Sequence, residues 1–413
     1  MQTTFRSWAK WSLINLVIVA AVGVILRYKI VFPLPFVDQK NLLHGHSHFA
    51  FSGWVSMALF TAMAALLQQY TNINPSKYRR LFILGQIANF GMLFSFPFGG
   101  YTPVSISFST LSVIFSYLFA WRYHKDLKTS NLPYIIKLWL RAALFFYVIS
   151  SLGAFNLAYL MASHTSTQDW YIGSVYFFLH FQYNGWFLFA LMGLLMHQLI
   201  KWGIDIPDRV HRSLFYCFFI SCIPAFFLSA LWMDLPKWIV ATAILAVLLH
   251  WISYYLFLKL INKAFSSIAK KCSSLTKLLW TVGLIAFTIK LVLQSLSLIP
   301  SLSFLAFGFR PIVIGYLHLV LLGMVSLTLI GYLLHENLLS SRIAIAKKGL
   351  FAFVASVILN EILLMLQGIF AIKDIYFNSI NYFLLATAVG LFTSIGIFLF
   401  GQKSIDIQPN DGN

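Results

Sequence analysis

Residues 43–68 read LHGHSHFAFSGWVSMALFTAMAALLQ: three histidines at alternate positions, then an apolar run without a single charged side chain. About 20 such residues carry a helix across the hydrocarbon core of a bilayer. The stretch therefore reads as a membrane span with imidazoles at one end. Eleven further runs share its character: 12–27, 80–100, 104–122, 135–161, 171–198, 213–233, 237–258, 277–299, 311–334, 349–372 and 381–400. They leave short loops and no room for a soluble domain. The chain is thus expected to be an all-α polytopic membrane protein of about twelve transmembrane helices, forming one transmembrane domain over residues 1–413. The first run follows Arg6 and Lys10 but lacks a convincing small-residue cleavage site, so it reads as an uncleaved helix rather than a signal peptide.

Composition agrees. Of 413 residues, 60% are hydrophobic and 10% charged, and the mean hydropathy is +0.82. Soluble domains carry roughly a quarter charged residues, which excludes a water-soluble enzyme. The net charge of +18 suggests nucleic acid only until the loops are sorted by side. With the N-terminus in the cytoplasm, the inner segments hold 21 Lys and Arg and the outer loops six. That is the asymmetry that orients membrane proteins, and it puts both termini in the cytoplasm. The partner implied is the lipid bilayer, not nucleic acid. Cys217, Cys222 and Cys272 form no framework and read as reduced thiols. No internal repeat is evident.

Topology gives each histidine a depth. His124, His197, His211 and His335 fall at cytoplasmic helix ends and are expected to be solvated. His250 lies deep in the eighth run, where a neighbouring carbonyl would satisfy it as well as a metal would. Five others lie in the outer half of the bilayer: His44, His46 and His48 in the second run, His180 in the sixth and His318 in the tenth. Ionisable side chains at such depth are functional candidates by default, and metal or haem ligation holds an imidazole neutral. His44 and His48, four apart, share one helix face, while His46 points away from both. Lys290 and Glu361 are also buried by this reading, either as a mutual ion pair or with Glu361 as a proton-relay carboxyl.

The segment His46-Ser-His-Phe-Ala-Phe-Ser-Gly53-Trp54 resembles the second helix of the haem–copper oxidase superfamily, most closely its nitric oxide reductase branch. Gly315-Tyr316-Leu317-His318 is similar to that family's tenth helix, and His180-Phe-Gln-Tyr-Asn184-Gly185 to its sixth. The resemblance implies an oxidase subunit I-like bundle in a bacterial inner membrane, with a redox partner or further membrane subunits. It also implies a low-spin haem held by His46 and His318 and a second metal ion near His180, with His44 and His48 as further candidates. Arg310, just outside the tenth run, reads either as a partner for a haem propionate or as an interfacial snorkelling residue. Three positions depart from the family. Tyr316 stands in place of the proximal histidine of the high-spin haem and Asn184 in place of the reductase glutamate. The seventh run lacks the family's histidine pair. Catalytic candidates reduce to Glu361 and Tyr316. What these features imply is a haem protein of electron transfer or of oxygen or nitric oxide chemistry, with an incomplete binuclear centre. The alternatives are a haem- or metal-binding sensor or carrier without turnover, and a twelve-span secondary transporter.

Overall fold

The computed structural model describes residues 2–165, 167–303 and 309–403. Residues 404–413, the tail assigned above to the cytoplasm, lie outside the described residues. Each of the twelve apolar runs forms helix: α1 (Gln2–Val31), α2 (Gln39–Gln68), α3 (Pro75–Gly99), α4 (Pro103–Thr129), α5 (Tyr134–Ser163), α6 (168–201), α7 (Asp208–Cys222), α8 (Lys237–Lys271), α9 (Ser274–Leu296), α10 (Arg310–His335), α11 (Ala344–Ile372) and α12 (Ser379–Lys403). Among the described residues, ten of these are long and apolar enough to cross a membrane. The protein is a multi-span helical membrane protein.

The two helices outside that ten differ for separate reasons. α6 is long but carries His180, Gln182, Asn184, His197 and Gln198, all buried, so its polar content is high. α7 is short because Pro224 ends it. Proline has no N–H to donate and its ring clashes with the preceding turn; the chain continues as a 3₁₀ helix over Pro224–Ser229.

The helices gather into two compact units. The first comprises Met1–Asp126, Ser273–Val282 and Ser326–Asn413, the second Leu127–Cys272 and Gly283–Val325. In the first, α2 is central: 83% of its most apolar window is buried. Trp54 on α2 donates its indole N–H to Ser326 Oγ at 2.8 Å. Asp126 takes a hydrogen bond from Tyr78 and pairs with Arg122 at 2.9 Å. In the second unit, Gly153 on α5 lets the backbone of α6 come close. A Cβ there would lie 2.6 Å from the Ser174 carbonyl oxygen and 2.7 Å from the Phe178 nitrogen. Small residues at such crossings are how membrane helices approach without a hydrophobic driving force.

A repeat emerges that the sequence reading missed. Among the described residues, three helices are interrupted by π-helical turns, over Phe49–Ser56, Phe181–Phe187 and Leu319–Ser326. Each π segment starts directly after a histidine: His48, His180 and His318. Each then places a glycine five positions on, at Gly53, Gly185 and Gly323, followed by Trp54, Trp186 and Met324. The second and third copies continue in step, through Gly193 and Gly331 to His197 and His335.

Candidate functional site

A π turn widens the helix by one residue and leaves carbonyls without their usual α-helical donors, and such turns concentrate at functional sites. In the first unit those donors come from side chains. Ser52 Oγ donates to the His48 carbonyl and Asn15 Nδ2 to the Gly53 carbonyl, both at 2.6 Å. Asn15 is held in turn by a reciprocal pair of 2.9 Å amide hydrogen bonds with Gln86. Neither Asn15 nor Gln86 stood out in the sequence, because a lone amide on an apolar helix has no signature.

The triplet at the start of α2 divides as its spacing predicts. His44 and His48 face the same aromatic pair. His48 stacks on Phe96 with ring centroids 4.7 Å apart, and His44 meets Tyr101 edge-on at 4.9 Å. His44 Nε2 is buried with no hydrogen-bond partner among the described residues. His46 lies on the other side, against α1, its Cε1 3.5 Å from where a Cβ on Gly23 would stand. Also in this unit is Glu361, half-buried on α11, where it accepts from Asn360 Nδ2 at 3.2 Å.

The second unit holds a buried polar cluster. His180 is fully buried and both its ring nitrogens are engaged. Nε2 lies 2.8 Å from the Cys222 carbonyl oxygen, and Nδ1 3.0 Å from Asn184 Nδ2. A carbonyl only accepts, so Nε2 carries the proton; Nδ1 then accepts from the Asn184 amide. Pro224 explains why the Cys222 carbonyl is available. The 3₁₀ turn pairs the Phe226 N–H with Ile223 instead, at 3.2 Å, and the carbonyl before it needs another donor. His250 and Lys290 complete the cluster, 5% and 1% exposed. The Lys290 ammonium sits 5.6 Å from the Phe287 ring centroid. His250 Nδ1 is buried and pairs with nothing among the described residues.

His318 and Tyr316 sit on α10 in the same unit. His318 Nδ1 is 2.8 Å from the carbonyl of Ile314, one turn back. That bond fixes the tautomer and leaves Nε2 with the lone pair, the arrangement typical of ligating histidines. The stretch Arg310–His318 contains no fully buried residue, although seven of the following nine are buried. Tyr316 is engaged elsewhere: its ring centroid is 6.0 Å from that of Tyr183 and the two hydroxyls hydrogen-bond. Arg310 is exposed at the first position of α10.

No family model matches this chain, and no curated protein is similar enough to count as a relative.

His318, in the second unit, has its Nδ1 held by the Ile314 carbonyl, and His46, in the first, lies beside Gly23. His180 is not placed as a metal ligand. A ligand needs a lone pair, and His180 uses its own for the Asn184 amide. Among the described residues no group of three or more His, Cys, Asp or Glu gathers to hold a metal ion. Two other expectations are corrected: His197 and His211 are 0% and 1% exposed rather than solvated. Both sit where helix ends are packed over by neighbouring elements, which loop composition does not reveal. The three cysteines are free.

Proposed function

We propose that this chain is a membrane haem protein, similar in plan to the large subunit of haem–copper oxidases and nitric oxide reductases, that carries a bis-histidine low-spin haem and works in electron transfer. By the sequence resemblance, His46 in the first unit and His318 in the second are the candidate axial ligands and Arg310 the candidate partner of a propionate. The observation that supports the reading is the hydrogen bond from His318 Nδ1 to the Ile314 carbonyl of its own helix, a second partner of the kind ligating histidines use. A haem with two axial imidazoles exchanges single electrons and leaves no iron position for a gas ligand. The chain's part is to hold both imidazoles neutral, fix their tautomers and exclude water.

The closure of His180 onto Cys222 and Asn184 supports electron transfer over reduction of oxygen or nitric oxide. The family's reaction needs several imidazoles on a second metal, and here the one in the matching position has no nitrogen to spare. Tyr316, bonded to Tyr183, is likewise not held ready as a ligand.

Absorption spectra of the purified, reduced protein test the reading. Wild type should show the sharp bands of six-coordinate low-spin haem. His46→Ala and His318→Ala should each abolish them without loss of membrane insertion, while His124→Ala and His335→Ala should leave them intact. A colourless wild-type protein, expressed with ample haem, would overturn the proposal.

A further inference from the structure

Within the first unit, α1, α3 and α4 leave an open groove of about 1090 Å³. Its walls are aromatic and aliphatic, with Trp8 on α1 and Phe94 and Ile87 on α3 among them. Phe94 and Ile87 are 63% and 53% exposed, so the groove opens outward rather than into the unit. Its floor is closed where α3 meets α4: Gly91 has no side chain, and Phe108 occupies the space a Cβ would take. One end is different. Arg79, near the start of α3, lines the groove and is exposed, and among the described residues it has no acidic or hydrogen-bonding partner. Thr4 adds a hydroxyl-bearing side chain to the same lining.

A bilayer-facing channel with apolar walls and an unpaired guanidinium at one end is complementary to an amphiphile with a hydrocarbon tail and an anionic head. Basic pockets between membrane helices bind anionic head groups by this charge match, and guanidinium pairs with phosphate in bidentate fashion. We propose that the groove is a binding site for one anionic phospholipid, its phosphate on Arg79 and an acyl chain along Trp8 and Phe94. The proposal is independent of the haem reading and involves none of its residues.

The test uses the full chain in a neutral detergent, titrated with phosphatidylglycerol bearing brominated acyl chains, which quench nearby tryptophans. Wild type should show a saturable quenching phase that brominated phosphatidylcholine does not reproduce. Trp8→Phe combined with Trp11→Phe, the two tryptophans of the lining, should remove most of that phase. Arg79→Gln should weaken it about fivefold, the counterpart of the roughly 1 kcal/mol that an interfacial arginine contributes beside anionic lipid. Arg80→Gln, one position round the helix, should leave it unchanged. Ile87→Trp, which fills the groove, should abolish it while the protein elutes as wild type does. Equal quenching by both lipids would overturn the proposal. So would equal weakening by Arg79→Gln and Arg80→Gln, because binding would then be a property of the basic surface and not of the groove.

Discussion

Replacing His180 with phenylalanine isolates the polar half of its role. The ring is kept, so its edge-on contacts with Phe181 and Phe226, at centroid distances of 5.0 and 6.1 Å, are retained. Two hydrogen bonds go. The Cys222 carbonyl loses its donor at 2.8 Å, and the Asn184 amide loses its acceptor at 3.0 Å. Leaving a buried group unsatisfied costs about 1–3 kcal/mol, and in membrane proteins such bonds average nearer 0.6 kcal/mol because the unfolded chain finds other partners. The expected loss for His180→Phe is therefore about 1–3 kcal/mol for the pair of bonds. Asn184→Leu breaks only the second bond and should cost about 1 kcal/mol. The double variant should be less destabilised than the sum of the singles, by about 0.5–1.5 kcal/mol, because the shared bond is lost only once. Reversible unfolding in mixed micelles with increasing dodecyl sulfate measures all four proteins. A chelator should leave the wild-type midpoint where it is. Strict additivity, or a His180→Phe protein as stable as wild type, would refute the hydrogen-bonded role. A midpoint lowered by chelation would show that His180 serves a metal.

Three other outcomes follow from features of the fold. Gly153→Val should prevent α5 from seating against α6 and give little folded protein, since the added atoms meet backbone that cannot yield, whereas Gly173→Ala, with nothing within 4 Å, should express and melt as wild type; normal yield of Gly153→Val would contradict the close approach. Reporter fusions after Lys128 and Lys271 should report cytoplasm and one in the 162–170 loop the exterior, and opposite signals would overturn the orientation drawn from the loop charges. Tyr70, in the loop after α2, has its phenol raised above the ordinary value of 10.0 first by burial and then by Glu336. The neutral phenol is the form the fold favours, so its stabilising effect is complete below pH 10 and is lost as pH rises beyond it. Glu336→Gln should lower the Tyr70 titration midpoint only in part, read as the ultraviolet difference against Tyr70→Phe; an unchanged midpoint would remove Glu336 from the account.

The fold was legible where burial in lipid demands it. The twelve apolar runs form helices because a chain in hydrocarbon has to satisfy its backbone internally. Their ends were less legible. The eighth run was bounded at 258, yet α8 continues to Lys271, its last turns carried by Lys259, Lys263, Lys270 and Lys271, which suit a helix in water as well as a loop. The division of His44 and His48 from His46 followed from helix geometry alone. What stayed hidden depended on partners from distant sequence. The role of Asn184 lies four residues from His180 and was within reach of spacing rules, but the carbonyl that completes it belongs to Cys222 and is released by a proline in another helix. The repeat went unnoticed for a similar reason. An i→i+5 hydrogen bond has no composition of its own, and only the shared starting point of the three π turns shows which residues to align.

Those turns also give the chain a countable slack. Each π segment contains one residue more than a regular helix of the same rise would need, and one residue of α-helix corresponds to about 100° of rotation. The histidine before each segment and the side chains after it are thus set at a phase that no uninterrupted α-helix can reach. Deleting one residue anywhere in Phe49–Ser56 would let α2 close into a regular helix of sound propensity and turn the part of α2 after it by that angle. Trp54 would swing away from Ser326 while His46 stayed against Gly23. In α2, α6 and α10, lineages that diverge by a single inserted or deleted codon would differ less in helix content than in which face looks at which neighbour.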